Sequence, residues 1–426
     1  MKEVFIHYLW ENRLLKKAMI SSDHEPVEVI HPGFANADSG PDFLNARIKI
    51  GETIWAGNVE IHINASDWNQ HRHQDDKSYD NVILHVVFEE DRKILNSTNR
   101  QIPTIVVKGL FDEEILIRYN SFINSRRWIA CEKHITEIQR FTWLSWLDRM
   151  IVEKMERKVE QLGLVLEQTT FDWEETFYRR LLINLGLKVN ETAFEQLAIS
   201  LPFNLLLKHA DDLFQLEALL FGAAGFLSDT PGDEYQRKLL DDWKFFSQKY
   251  GLTPMKSESW RFMRLRPGNF PSLRLAQLAM MIHKHGRLFS KVIEMTDAES
   301  VIQIFKTGTS KYWNTHYRFG TEAKAKVKTL GHEAASLLVL NSVVQLLFLY
   351  GIHTGKESLS DKAFMLLEAM EAEDNQIIRR FESFGIHAAN ALQSQALLFM
   401  KKDYCDQKRC LECRIGNILM DKTANR

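Results

Sequence analysis

Disulfide frameworks, biased tracts and one-sided charge often reveal a protein's class, and this 426-residue chain has none of them. Its 4 cysteines, three crowded near the C-terminus, do not make the framework of a small secreted protein. With 9 prolines and 20 glycines spread without a repeat, collagen-like and low-complexity chains are excluded. Lys and Arg number 54 against 56 Asp and Glu, a net charge of −2. That excludes a protein that coats nucleic acid by bulk charge and leaves only a local basic groove. A long apolar run is also missing. The stretch from Ala334 to Tyr350 is interrupted by Ser336, Asn341, Ser342 and Gln345. It reads as a buried helix, because a membrane span needs about 20 mostly apolar residues. The opening MKEVFIHYLWENRLLKK carries charges among its apolar positions and is followed by no small-residue cleavage site, so it is not a signal peptide. The expected setting is the cytoplasm, with no membrane partner.

What is present is an ordinary globular composition, 45% hydrophobic and 26% charged, long enough for two or three domains. Before residue 110 short runs alternate with period two: EPVEVIHP, FLNARIKI, TIWAGNVEIHI, NVILHVVFEE and IPTIVVKG. Gly51-Glu52 makes a tight link between the second and third. Val4, Phe5, Tyr8, Leu9 and Leu14 place a helix ahead of them. After Gly109 the pattern turns helical, punctuated by Gly163, Gly186, Pro202, Pro231-Gly232, Pro254, Pro267-Gly268, Gly331 and Gly351. The expected fold is an α+β N-terminal domain with a mixed or antiparallel sheet of about five strands, then a large all-α domain. The expected boundaries are 1–130, 131–400 and a Cys-containing tail, 401–426.

Chemistry-bearing side chains concentrate between Gly40 and His85: Asp42, Glu60, His62, Asp67, His71, His73, Asp75, Asp76 and His85. Strand parity puts Val59, Ile61 and Ile63 on one face and Asn58, Glu60 and His62 on the other. His85 alternates against Leu84 and Val86, so Glu60, His62 and His85 share a face if their strands are neighbours. Asp42 stands at the mouth of the preceding strand. Carboxylates suit Mg²⁺ or Mn²⁺, and added imidazoles shift the preference toward Zn²⁺, Mn²⁺ or Fe. The residues expected in catalysis are Asp42, Glu60, His62 and His85. Those expected to hold metal are Asp42, Glu60, His71 and His73. The competing reading is a polar loop, His71-Arg72-His73 followed by Asp75-Asp76.

PGFANADSGPDFLNARI and WAGNVEIHINASDWNQHRHQDDKSYDNVILHVV, with RLRPGNFPSLRLAQLA, YWNTHYRFG and YCDQKRCLECRIGNIL, resemble an uncharacterised bacterial domain-of-unknown-function family over nearly the full chain. That resemblance implies no activity. Pro41-Asp42 and Glu60-Ile61-His62 also resemble the PD-(D/E)xK nucleases, with His62 in the place of the lysine. This implies a restriction-endonuclease-like fold, Mg²⁺ or Mn²⁺ on Asp42 and Glu60, and metal-assisted phosphodiester hydrolysis. Glu11, on the opening helix, is the candidate for the acid that family often carries there.

Cys405, Cys410 and Cys413 follow a C-x4-C-x2-C spacing, and Cys131 is the only other cysteine. Three close thiolates make a preformed chelate. Zn²⁺ and an Fe–S cluster are both open, as are free thiols. The set resembles the iron–sulfur staple of some helicase-nucleases, except that here the distant Cys follows the nuclease-like motifs. Arg264, Arg266 and Arg274 flank a Pro-Gly turn before a helix, and Lys311 and Arg318 lie in an aromatic string. These are the candidate nucleic-acid contacts, with packing loops as the alternative. The leading expectation is a metal-dependent nuclease or phosphodiesterase. The alternatives are another His-liganded hydrolase and a non-enzymatic scaffold with a structural metal.

Overall fold

The computed structural model describes residues 2–16, 18–36 and 38–420. The chain divides into two compact units: Met1–Trp146 with the described part of Phe399–Arg426, and Leu147–Leu398.

The first unit opens with helix α1, Glu3–Glu11, whose Phe5, Ile6, Tyr8, Leu9 and Trp10 are buried. Seven strands follow: β1 Met19–Ile20, β2 Pro26–His31, β3 Phe34–Ala35, β4 Phe43–Ile50, β5 Thr53–Asn64, β6 Val82–Glu89 and β7 Thr104–Val106. The sheet order is β1-β2-β4-β5-β6-β7, with β3 also on β4. The pairs β2–β4 and β4–β5 are antiparallel, whereas β5–β6 and β6–β7 are parallel. An antiparallel bridge from Ser21 to Ile105 ties the two ends together, so the sheet curls nearly into a barrel. The expectation of an α+β domain with a mixed sheet holds. The two strands beyond the expected five, β1 and β3, are two residues each, too short to show a period.

Both faces of the central strands are covered. Val59, Ile61, Leu84 and Val86 join Ile6 and Trp10 in one core cluster. The opposite face is overlaid by the β5–β6 connection, whose Ala65, Trp68 and Tyr79 pack with Val82 and Val87. That connection folds as helix α2, Asp67–Gln70, and two 3-10 turns, His73–Asp75 and Lys77–Tyr79. Helix α3, Glu113–Ile123, closes this part of the chain, with Asp112 accepting from the Glu114 N–H as its N-cap.

The second unit is helical apart from one small hairpin, His316–Arg318 with Thr321–Glu322. Phe177, Phe221, Phe289, Phe305 and Trp313 are fully buried there. The apolar stretch from His332 to Thr354 is helical throughout, with a π-helical segment at Val339–Val343. It is long and apolar enough to span a membrane, but 72% of its most apolar window is buried, as in a core helix.

Where β5 meets β6, Gly57 lies against the β6 approach. A Cβ there would sit 2.4 Å from Ile83 Cγ2 and 2.6 Å from the Asn81 carbonyl. Backbone cannot yield as a side-chain tip can, so Gly57→Ala is expected to cost about 1–3 kcal/mol of stability. Urea unfolding measures this, and an unchanged midpoint would show that β6 is not held at that distance.

Candidate metal centre

The centre is built where β4, β5 and the β5–β6 connection meet. Asn45 adopts a left-handed φ of 58° at an irregularity between Phe43 and Ala46 of β4. Just before that strand, the Asp42 N–H donates to Glu60 Oε2 at 3.1 Å. In return the Ile61 N–H donates to Asp42 Oδ2 at 2.9 Å. Each carboxylate is thus fixed by the other strand's backbone.

Glu60 and His62 project from the same face of β5, as parity requires, and both are buried. Arg72 takes a left-handed φ of 62° between His71 and His73, which gives the chain a tight turn between the two imidazoles. Ligand nitrogens of His62, His71 and His73 then lie within 4.8 Å of one another. His62 Nε2 is 3.1 Å from His71 Nδ1 and 3.5 Å from Glu60 Oε1. His73 Nε2 is 3.2 Å from Glu60 Oε1, yet it is buried and has no hydrogen-bond partner. The two groups approach without aligning. Two donors each about 2.1 Å from one tetrahedral ion lie about 3.4 Å apart, close to the His62–His71, His62–Glu60 and His73–Glu60 separations taken pair by pair. The Tyr79 ring stacks on His73 at 3.8 Å, and Trp68 sets its edge against His73 and His85.

His85 stands behind His62 and is wholly buried. Its Nε2 is 2.8 Å from His62 Nδ1. If His62 presents a lone pair at Nε2, its proton sits on Nδ1 and is donated to His85 Nε2. The residue expected in catalysis is therefore a tautomer-setting partner by position. Burial holds the His62 imidazole down to about 3, with His73, His71 and His7 adding to it and Glu3 opposing. Burial also holds His85 well below its ordinary value, reinforced by His62. Both rings are neutral near pH 7, as a ligand and its partner must be.

A second group adjoins the first. Glu3, His7 and Asp42 offer ligand atoms within 4.8 Å of one another. His7 Nε2 lies 3.5 Å from Asp42 Oδ2 and 3.6 Å from Glu3 Oε1, and is buried without a hydrogen-bond partner. Burial pulls His7 down, but the Glu3 and Asp42 carboxylates outweigh it and raise its pKa. Sequence reasoning missed Glu3 and His7 and singled out Glu11, which is exposed at the far end of α1. The i, i+4 spacing of Glu3 and His7 was the available signal.

The remaining candidates lie elsewhere. Cys131, Cys405, Cys410 and Cys413 all fall in the first unit and form no disulfide. Burial pushes the Cys131 thiol up to about 12 and Cys413 to about 11. In the second unit Arg264, Arg266, Lys311 and Arg318 are exposed, and Arg318 lies 4.2 Å from the Phe262 ring centroid and 4.8 Å from that of Phe270. Arg274 is buried and donates to Gln277 Oε1 and Asn269 Oδ1, so it is engaged internally and is not a surface phosphate contact. Trp313 is buried with its indole on Glu217, and Tyr312 stacks between Tyr235 and His316. These rings are packing groups. In the first unit a cleft of about 580 Å³ lined by Trp10, Arg13, Val27, Glu28 and Lys49 includes none of the cluster.

Asp42 is raised from 3.8 to about 7, by burial first and by the charge of Glu60 second, against the pull of His7 and the Ile61 N–H. A carboxyl that keeps its proton only when folded binds more protons in the native state between pH 4 and 7. Stability therefore falls as pH rises through that window. Asp42→Asn keeps an acceptor for Ile61 and removes the titration. In metal-free buffer its stability relative to the parent should rise from pH 4 to 7, by an amount on the order of 2 kcal/mol, and then level off. A flat difference in urea unfolding would mean that Asp42 ionises normally.

No curated protein and no solved structure matches the chain. Residues 3–376 match the family described as "Protein of unknown function (DUF2851)". That stretch includes Glu3, His7, the Asp42–His85 cluster and Cys131, and stops short of Cys405. The chain belongs to the DUF2851 family of proteins of unknown function.

Proposed function

We propose that the first unit is a metal-dependent hydrolase of phosphodiesters, with nucleic acid as the substrate class. The observation that carries this reading is the convergence of His62, His71 and His73 beside Glu60, with a buried His73 nitrogen that meets Glu60 at 3.2 Å without a hydrogen bond. Three imidazoles move the ion preference from Mg²⁺ toward Zn²⁺, Mn²⁺ or Fe. In this respect the reading takes the donor set of a His-liganded hydrolase and keeps the Asp42–Glu60 pair of the nuclease expectation.

A bound divalent ion would polarise the phosphoryl oxygen and acidify water. The chain's own groups do the rest. His85 keeps His62 in the tautomer that faces the ion. Glu60 spans the two groups: Oε1 faces the imidazoles and Oε2 accepts from Asp42. The adjoining Glu3–His7–Asp42 set is a second cation locus, and paired loci suit in-line displacement at phosphorus. In that locus the Glu3 and Asp42 carboxylates and His7 Nε2 would be the ligand atoms. Arg264, Arg266 and Lys311 are exposed cations of the second unit suited to backbone phosphates. Four cysteines without a disulfide fit a reducing compartment, the cytoplasm.

The test uses the full chain, stripped with chelator and titrated with Mn²⁺, Zn²⁺ and Mg²⁺. Mn²⁺ or Zn²⁺ should bind more tightly than Mg²⁺ and support cleavage of single-stranded or duplex DNA, RNA or a bis-aryl phosphodiester. His71→Ala and His73→Ala should each weaken binding at least tenfold, and His85→Gln by about 10- to 100-fold, the range for partners behind a ligand. Glu60→Gln should abolish turnover. Absence of binding, or binding indifferent to these changes, removes the metal centre. Binding without cleavage of any phosphodiester removes the substrate class.

A further inference from the structure

The C-terminal segment folds onto the first unit and brings the chain's 4 cysteines into one neighbourhood. Cys131 comes from the turns after α3. Cys405 ends the π-helical segment Met400–Cys405, and Cys410 and Cys413 precede the helix Arg414–Met420. Cys405 lies within electrostatic range of Cys413, Cys131 and Cys410, and Cys131 within range of Cys413 and Cys410. The segment is anchored between the thiols and beyond them. Lys408 Nζ donates to the Ser125 carbonyl at 2.7 Å, and Arg118 Nη1 to the Met420 carbonyl at 2.9 Å. A Cβ on Gly416 would fall 2.0 Å from the Cys410 carbonyl, so only glycine lets the Cys410–Cys413 turn close this tightly.

The surroundings of the sulfurs are supplied with buried hydrogen-bond donors. Trp146 and Tyr119 are both more than nine-tenths buried. The Trp146 indole N–H donates toward Cys413, and the Tyr119 hydroxyl, within range of Cys410, has no hydrogen-bond partner. Backbone N–H groups of Ile415 and Gly416 also donate toward Cys413. Buried donors are rarely left unpaired, and anionic sulfur is the acceptor these would serve. Lys401, buried against the Trp128 ring, and Lys408 supply positive charge beside Cys405 and Cys410.

The separation of the sulfurs is wider than a single ion requires. Among the described residues no three of these sulfurs lie within 4.8 Å of one another. One Zn²⁺ bound to four thiolates at about 2.3 Å needs sulfurs about 3.8 Å apart. A polynuclear centre, several ångströms across, holds its ligands farther apart. We propose that Cys131, Cys405, Cys410 and Cys413 ligate an iron–sulfur cluster that fastens the C-terminal segment to the first unit. This inference uses no residue of the proposed hydrolytic centre and stands or falls apart from it.

The experiment is purification of the full chain under anaerobic conditions, followed by iron, zinc and acid-labile sulfide analysis and visible absorption. A brown protein with equal iron and sulfide, about four of each for a cuboidal cluster, is the expected result. Acid-labile sulfide separates this iron from any held by the histidines. Cys131→Ser and Cys410→Ser should lose the colour and the sulfide. The double change Trp146→Phe and Tyr119→Phe should keep the iron and lower the cluster's reduction potential, since hydrogen bonds to sulfur raise it. A colourless protein, or one zinc per chain without sulfide, overturns the proposal whether or not the variants fold.

Discussion

Two backbone N–H groups hold the first unit's chemistry in place. The Asp42 amide on Glu60 and the Ile61 amide on Asp42 lock the mouth of β4 to the middle of β5. Without them, two carboxylates this close would repel and turn toward water. With them, Glu60 has one oxygen fixed on the backbone and the other left facing imidazoles. The histidines are arranged around this locked pair: His62, two residues along the strand, and His73, brought in by the connection, face Glu60 Oε1, and His7 approaches Asp42 Oδ2 from α1.

The imidazoles illustrate how a polar cluster is tolerated inside a fold. His73 is sandwiched by aromatic surface, with Tyr79 on its face and the Trp68 edge nearby. Aromatic contact fixes ring planes without supplying hydrogen-bond partners. His73 Nε2 is therefore oriented but unsatisfied, a costly state in a purely structural network. Buried Glu217 in the second unit makes a useful contrast: Tyr235 and Trp313 both donate to its Oε2. That oxygen is held by two donors, while Glu217 Oε1 is buried without a partner; the His62, His71 and His85 nitrogens instead face one another.

What could be read from the sequence was whatever depends on period and parity. The five longer strands and the shared face of Glu60 and His62 follow from alternation, whereas the parallel pairing of β5–β6 and β6–β7 is a tertiary fact that alternation leaves open. His71 and His73 could be noticed but not oriented, because their convergence depends on a left-handed Arg72 and on the anchoring of Trp68. Glu3 and His7 escaped because which flank of α1 meets β4 is a tertiary fact. Arg274 and the Tyr312–Trp313 pair looked like surface chemistry because loops rich in Arg and aromatics usually are. Here the Pro271-initiated helix carries Arg274 inward. The cysteine spacing was visible, but the buried donors around it were not.

The return of the chain to its first unit has a consequence for the order of events during synthesis. Arg118 reaches the Met420 carbonyl across 302 residues of intervening sequence. A ribosome adding about 5–20 residues per second needs roughly 15 to 60 s to cover that distance. For that interval the nascent sheet exists with its Cys131 side uncovered, while the entire helical unit emerges and folds. A chain made in that order holds Cys131 without its three sequence-distant partners for most of its synthesis.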